Sequence, residues 1–324
     1  MIAGEIRQPN TSRERLVADL SALLGGQSRS VLEHLPTEEL WYLASRADLQ
    51  KRYADPQRGA ILLQWEMSAV ERGECALGEI ELCGSPDWQN ARALDVGCGD
   101  GGFLIAMARR GARAWGLDLC EYNVFGANLR ARAWEVPVAV TTGSAMSLPY
   151  RSASFDVVTC GDVIEHVAQP PTALCEIKRV LRPGGMLWLG APTRCFLANL
   201  WRDPHYGFFG ISALSRRSAG WYLARIRRAL PGPEHYAVER LPTYGKMVAV
   251  LRHMGFEILA GEYRPLAALR APNRIETPWK KRIVNILLAF GLRVPLTLLY
   301  RLRAELVWPI RLVCRKAACQ SPEC

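Results

Sequence analysis

The chain reads as an α/β protein built on a doubly wound parallel sheet, and three observations predict it. From Ala91 onward, short apolar runs of strand character alternate with segments of helical periodicity. A glycine-rich turn, Gly97-Cys98-Gly99-Asp100-Gly101-Gly102, joins the first of those strands to the first of those helices. The composition, 49% hydrophobic and 22% charged over 324 residues, excludes a disordered chain and allows a sizeable core.

Residues 1–90 are expected to form a helical N-terminal region. Thr11 and Glu14 have capping-box spacing, Leu16, Leu20, Leu23 and Leu24 repeat helically, and Gly25-Gly26 stops the run. A second helix is expected after Pro36 and a third over roughly 58–81. The strand-like runs that follow are Ala93–Val96, Ala112–Leu117, Val136–Val140, Phe155–Cys160 and Met186–Gly190. Leu174, Ile177, Val180 and Leu181 mark a helix between the last two. Residues 191–242 interrupt the rhythm with aromatic and basic sequence, and it resumes with a helix near Thr243–Met254 and a strand at Phe256–Ala260.

Charge is unevenly placed. Lys and Arg total 41 against 31 Asp and Glu, a net +10. Residues 263–324 hold 12 of those cations and three of the anions, leaving 29 against 28 before them. A general nucleic-acid binder would spread its cations over the working domain, so no nucleic-acid partner is expected. The ten cysteines include no CxxC pair, and Met1–Pro9 lacks a signal-peptide pattern, so reduced thiols in the cytoplasm are expected. The apolar stretch Ile283–Tyr300 is broken by Asn285, Arg293 and Pro295, a poor membrane span.

By spacing alone, Gly97, Gly99 and Gly102 satisfy GxGxxG, which permits a nicotinamide cofactor. Asp95 argues otherwise: a carboxylate at the end of the strand suits an ammonium-bearing ligand better than a pyrophosphate. Asp118 ends the second strand, where an acid is well placed for ribose hydroxyls. Downstream follow Ser147-Leu148-Pro149-Tyr150, Ser154-Phe155-Asp156-Val157-Val158, Glu165-His166-Val167 and Leu181-Arg182-Pro183-Gly184-Gly185.

In this order the blocks resemble the class I S-adenosylmethionine-dependent methyltransferases, most nearly the small-molecule branch that includes the ubiquinone-biosynthesis O-methyltransferases. The resemblance is strong over about 91–190 and moderate over 243–262. It implies a Rossmann-like, seven-stranded sheet with S-adenosyl-L-methionine as cofactor. It further implies that Asp95 and the backbone of Gly97, Cys98 and Gly99 receive the methionine part, with Gly161 on the same crevice. Asp118 would hold the ribose diol, Leu119 would pack on the adenine, and Ser144-Ala145 would border its edge. Here the family's usual Gly-Asp-Ala reads Gly143-Ser144-Ala145, so the hydrogen bond to adenine would lack charge.

Methyl transfer to a hydroxyl needs a base or a metal. If the segment turns helically, Asp162, Glu165 and His166 share a face. A similar acid-x-x-Glu-His run is associated with a divalent metal in the ubiquinone enzymes, but no other ligand supports one here, and no metal is assigned. His205, among Trp201, Tyr206, Phe208 and Phe209, is a second candidate base in what the resemblance makes the acceptor-cover insertion, 191–242. Ala191-Pro192-Thr193-Arg194 would form its rim, and a basic helix around 215–228 carries Trp221 and Tyr222. The family closes its sheet with an antiparallel strand, which Pro309–Lys316 fits. Residues 264–308 then become a helical insertion within the last part of the chain, 243–324.

That insertion reads as two cation-rich amphipathic helices, one around Trp279, Ile283, Ile286, Leu287 and Phe290, the other with Leu298, Leu299, Leu302 and Leu306. Peripheral contact with an anionic membrane on its inner face, a homodimer seam, a partner groove and packing on the domain are the competing uses. The expected activity is methyl transfer, at oxygen, to a small-molecule, lipid-like or glycan-linked acceptor. Transfer to nitrogen or carbon, and a catalytically silent fold used for binding, are the alternatives.

Overall fold

The computed structural model describes residues 13–23, 29–37, 39–40, 43, 66–84, 86–193, 209–227, 242–261, 278–291, 295, 298 and 309–318. Helices α1 (Arg13–Leu23), α2 (Arg29–His34) and α3 (Ala69–Glu81) precede the sheet. Then come β1 (Arg92–Val96), α4 (Gly102–Arg109), β2 (Arg113–Asp118), α5 (Glu121–Ala133) and β3 (Val138–Thr142). β4 (Phe155–Gly161), α6 (Pro170–Val180) and β5 (Leu181–Ala191) complete the parallel part. α7 (Arg216–Arg227), α8 (Tyr244–His253), β6 (Phe256–Gly261), α9 (Pro278–Ala289) and β7 (Ile310–Lys316) follow.

The seven strands lie in the order β3-β2-β1-β4-β5-β7-β6. The first five are parallel, and β7 runs antiparallel to both β5 and β6. This is the mixed Rossmann-like sheet that the sequence predicts, including the closing strand. The chain winds outward in one direction from β1 and in the other from β4. A crevice therefore opens beyond the carboxyl ends of these two neighbours, where open α/β sheets bind ligands.

The core forms on both faces because side chains alternate along each strand. Leu94, Val96, Val158, Leu187 and Leu189 face α6 and α8, which contribute Leu174, Ile177 and Leu251. Ala93, Val157, Met186, Trp188 and Val313 face α3 and α4, which contribute Leu77, Ile80, Leu104 and Met107. A separate cluster of Val17, Leu20, Leu32, Leu40 and Leu43 reaches Leu129 of α5. Leu20 is buried as the helical spacing requires; Thr11 and Leu24, and the side chains of Leu16 and Leu23, lie outside the described residues.

Several boundaries differ from the sequence expectation. β3 begins at Val138 rather than Val136, because the turn after α5 runs through Glu135 at φ 53° and on into Pro137, which has no N–H to give a ladder. β5 begins at Leu181, which the helical pattern had claimed; Leu181 pairs with Phe155, and the register shifts before Val157 meets Met186. α3 is described from Ala69, while residues 58–65 lie outside the described residues. Of the two expected insertion helices, α9 is seen. Leu299, Leu302, Leu306 and the Trp279 side chain lie outside the described residues.

Candidate functional site

The crevice at the switch point is a cavity of about 600 Å³, within the size range of small-molecule and cofactor sites. Its floor is the β1–α4 turn. Gly97 and Cys98 donate their backbone N–H groups to the Leu117 carbonyl, at 2.7 and 3.0 Å, which clamps the turn onto β2. Gly97 adopts φ 70° and Gly99 φ 52°, conformations that a side chain disfavours. A Cβ on Gly97 would lie 2.2 Å from Val163 Cγ2, whereas one on Gly99 would meet no atom within 4 Å.

These two glycines should therefore respond differently to alanine. Gly97→Ala forces both strain and overlap and should lower stability by about 2–4 kcal/mol. Gly99→Ala should lower it by about 1–2 kcal/mol yet weaken ligand binding more than stability, because its methyl would occupy the cradle. Thermal unfolding and ligand titration of the two proteins would separate these effects.

Asp95 sits at the end of β1 and is 3% exposed. Register places Thr159 of β4 beside it, and the Thr159 hydroxyl donates to Asp95 Oδ1 at 2.6 Å. Burial pushes the Asp95 carboxyl up to about 7, against the Thr159 hydrogen bond and with help from Asp118 and Asp100. Asp118 is oriented by three donors: Gly99 N at 2.9 Å on Oδ2, and Cys120 N at 2.9 Å and Asn123 Nδ2 at 3.1 Å on Oδ1. A carboxylate has about four lone-pair sites, so acceptor capacity remains for a ligand.

The other anticipated residues converge on the same cavity: Cys98, Leu119, Ser144, Ala145, Gly161, Asp162 and His166 all line it. Leu119, just past the end of β2, is 76% exposed and offers the cavity an apolar shelf. Ser144 Oγ accepts from Met146 N at 3.2 Å, which turns its loop against the cavity. Burial raises the Cys98 thiol, keeping it neutral. His205 lies outside the described residues, as does Arg194; of the expected rim, Thr193 is buried.

The helical face expected of Asp162, Glu165 and His166 does not form. Asp162 takes a left-handed conformation at φ 55°, and only Ile164–His166 make a single 3-10 turn. Asp162 and His166 line the cavity, whereas Glu165 is fully buried behind it. Burial, and secondly the charge of Asp162, pushes the Glu165 carboxyl up to about 8. His166 remains 39% exposed, its Nε2 lying 3.9 Å from Glu165 Oε1. Among the described residues, no group of three His, Cys, Asp or Glu side chains could hold a metal ion.

Residues without a sequence motif complete the wall. Glu66, Ala69 and Arg72, at and before the start of α3, face the glycine turn, and Phe103 and Met146 add apolar surface. Burial lowers the Arg72 guanidinium, opposed by the nearby carboxylates of Asp162, Asp100 and Glu66. Behind the turn, Arg130 of α5 joins Asp100 at 2.5 Å to Glu39 of the N-terminal region at 2.8 Å.

These side chains fit a nucleoside that carries a free amino acid. They offer an acid for an ammonium, a guanidinium for a carboxylate, an oriented acid for a ribose, and an apolar shelf beside a hydroxyl for a base. Residues 94–189 match a methyltransferase-domain family model. The ubiquinone biosynthesis O-methyltransferase of Xanthomonas oryzae pv. oryzae is 34% identical over 177 residues, covering 53% of this chain and 67% of that protein. The enzyme of the same description from Paracidovorax citrulli is 38% identical over 108 residues, 33% of this chain and 45% of that one. Among solved structures, an S-adenosylmethionine-dependent methyltransferase from Mesorhizobium loti is 17% identical at a TM-score of 0.47, covering 74% of this chain and 96% of its own.

The chain belongs to the class I S-adenosylmethionine-dependent methyltransferases. It is a methyltransferase with S-adenosyl-L-methionine as cofactor and a small molecule as acceptor.

Proposed function

We propose that the chain transfers a methyl group to a hydroxyl oxygen of a lipid-like small molecule, at the inner face of a membrane. The observation that carries the reading is the convergence of Asp95, Asp118 and His166 on one cavity, supported by the likeness to ubiquinone biosynthesis O-methyltransferases. When bound, S-adenosylmethionine supplies an electrophilic methyl group on a sulfonium. Asp95 would hold the ammonium of its methionine part and Arg72 the carboxylate, with the Gly97–Gly99 backbone as the cradle. Asp118 accepts from the ribose hydroxyls. Leu119 would pack on the adenine, with Ser144 and Ala145 bordering its edge.

The protein's remaining work is to align the acceptor and take its proton. His166 faces the cavity with its ring half-exposed, so it can accept the hydroxyl proton as the oxygen gains the methyl. Asp162, on the same wall, orients the hydroxyl. Residues 191–242 act as the acceptor cover, with His205 the second base candidate. The apolar face of α9 is used at the membrane; a homodimer seam is its rival use.

The test is incubation with methyl-labelled cofactor and a cell extract, partitioned into organic and aqueous phases, with Asp95→Ala as control. Label should enter the organic phase with the intact chain alone. Label confined to the aqueous phase would overturn the lipid-like acceptor, and no label in either phase would favour a silent fold.

A further inference from the structure

We propose that α9 is an interfacial helix by which the chain lies on an anionic phospholipid bilayer. This inference builds on the membrane placement above but is independent of methyl transfer. Ile283, Ile286 and Phe290 are 47%, 48% and 77% exposed. At about 100° per residue, these three fall within one sector of roughly 60°. Singly exposed apolar residues are ordinary, but a contiguous stripe on one helix marks an interaction surface.

The charges choose the partner. Residues 278–291 contain Lys280, Lys281 and Arg282 and no acid. Arg282 borders the apolar sector, about 40° from Ile286. Lys281, Arg282 and Asn285 line a groove beside Ile286, a set of donors suited to phosphate oxygens. An apolar stripe edged by cations is the pattern of helices that rest in the plane of an anionic interface. A second copy of this face would bring two cation-bearing, acid-free surfaces together, with no carboxylate in residues 278–291 to pair with Lys281 or Arg282. Among the described residues, no helix is long and apolar enough to cross a membrane. Likewise among those residues, no hydrogen bond or ion pair joins α9 to the sheet.

The test is co-sedimentation of the full chain with vesicles of phosphatidylcholine, alone or mixed with phosphatidylglycerol. The intact chain should pellet with the mixed vesicles, and less so as salt is raised. The double variant Ile286→Ser/Phe290→Ser should lose at least about tenfold in partition. Removing charge with Lys281→Gln or Arg282→Gln should lose roughly fivefold each. Equal binding to phosphatidylcholine alone, no binding, or binding untouched by these changes would overturn the proposal. So would a concentration-dependent dimer of the intact chain that the double variant abolishes. None of the substituted residues lines the cofactor cavity, so S-adenosylmethionine titration of the same samples should be unchanged. If the intact chain failed that titration while pelleting as expected, the methyl-transfer reading would fall and the bilayer surface would stand.

Discussion

Asp95→Asn should weaken S-adenosylmethionine binding about 100-fold, the loss expected when a charged hydrogen-bond partner is removed from a buried site. The isosteric amide can keep its contact with the Thr159 hydroxyl, so the change reports on charge rather than on β1. The same residue sets a pH dependence. In the cofactor-free chain, burial holds the Asp95 carboxyl up at about 7, and the carboxylate is the form that receives an ammonium. Lowering the pH from 8 to 6 protonates it and should weaken binding about tenfold. In Asp95→Asn that slope should vanish. Stability of the cofactor-free chain runs the other way: the folded carboxyl keeps a proton that the unfolded one has lost above about pH 4. This contribution is therefore greatest at low pH and fades as pH rises toward 7. Calorimetric titrations at pH 6 and 8 check the binding sign, and thermal unfolding of the cofactor-free chain between about pH 4 and 7 checks the stability sign. An unchanged affinity in the variant would remove Asp95 from the ammonium role.

Arg130→Leu should lower stability by about 3–5 kcal/mol, the penalty of stranding a buried charge. Arg130 and Glu39 are each 1% exposed, and Asp100 is 12% exposed. That loss is a large share of the roughly 5–15 kcal/mol that holds a typical domain together. Arg130→Leu/Glu39→Leu should recover much of it, because apolar replacement of a whole buried pair is nearly neutral. Asp100 stays unanchored in both proteins, so cofactor binding should remain weaker in the double variant even where thermal unfolding has recovered. An equal loss of stability in the two proteins would show that shape rather than charge governs this contact.

What was legible in the sequence is local. The β1 turn and the end of β2 carry their chemistry within short stretches: glycines where positive φ is needed, Asp95 before them, Asp118 at the next strand's end. The closing strand was legible through resemblance, and its place between β5 and β6 follows from the antiparallel pairing. What was not legible depends on register and docking. Thr159 reaches Asp95 because β4 pairs with β1 across 64 residues of sequence, and no motif announces that pairing. Arg72 and Glu66 join the cavity because α3 packs on α4, where a Cβ on Gly102 would lie 2.5 Å from the Ala69 carbonyl carbon. Arg130 meets Glu39 across 91 residues. The helical face of Asp162, Glu165 and His166 failed for a backbone reason: a left-handed Asp162 takes the chain out of helical phase before the turn begins.

The central claim is that oxygen receives the methyl group, and the nature of the bond formed tests it most directly. With a cofactor carrying carbon-13 in its methyl group, the product isolated from the organic phase would be examined by carbon NMR. The account predicts a methoxy resonance, absent when Asp95→Ala replaces the intact chain. An N-methyl or C-methyl resonance of equal enzyme dependence would contradict it.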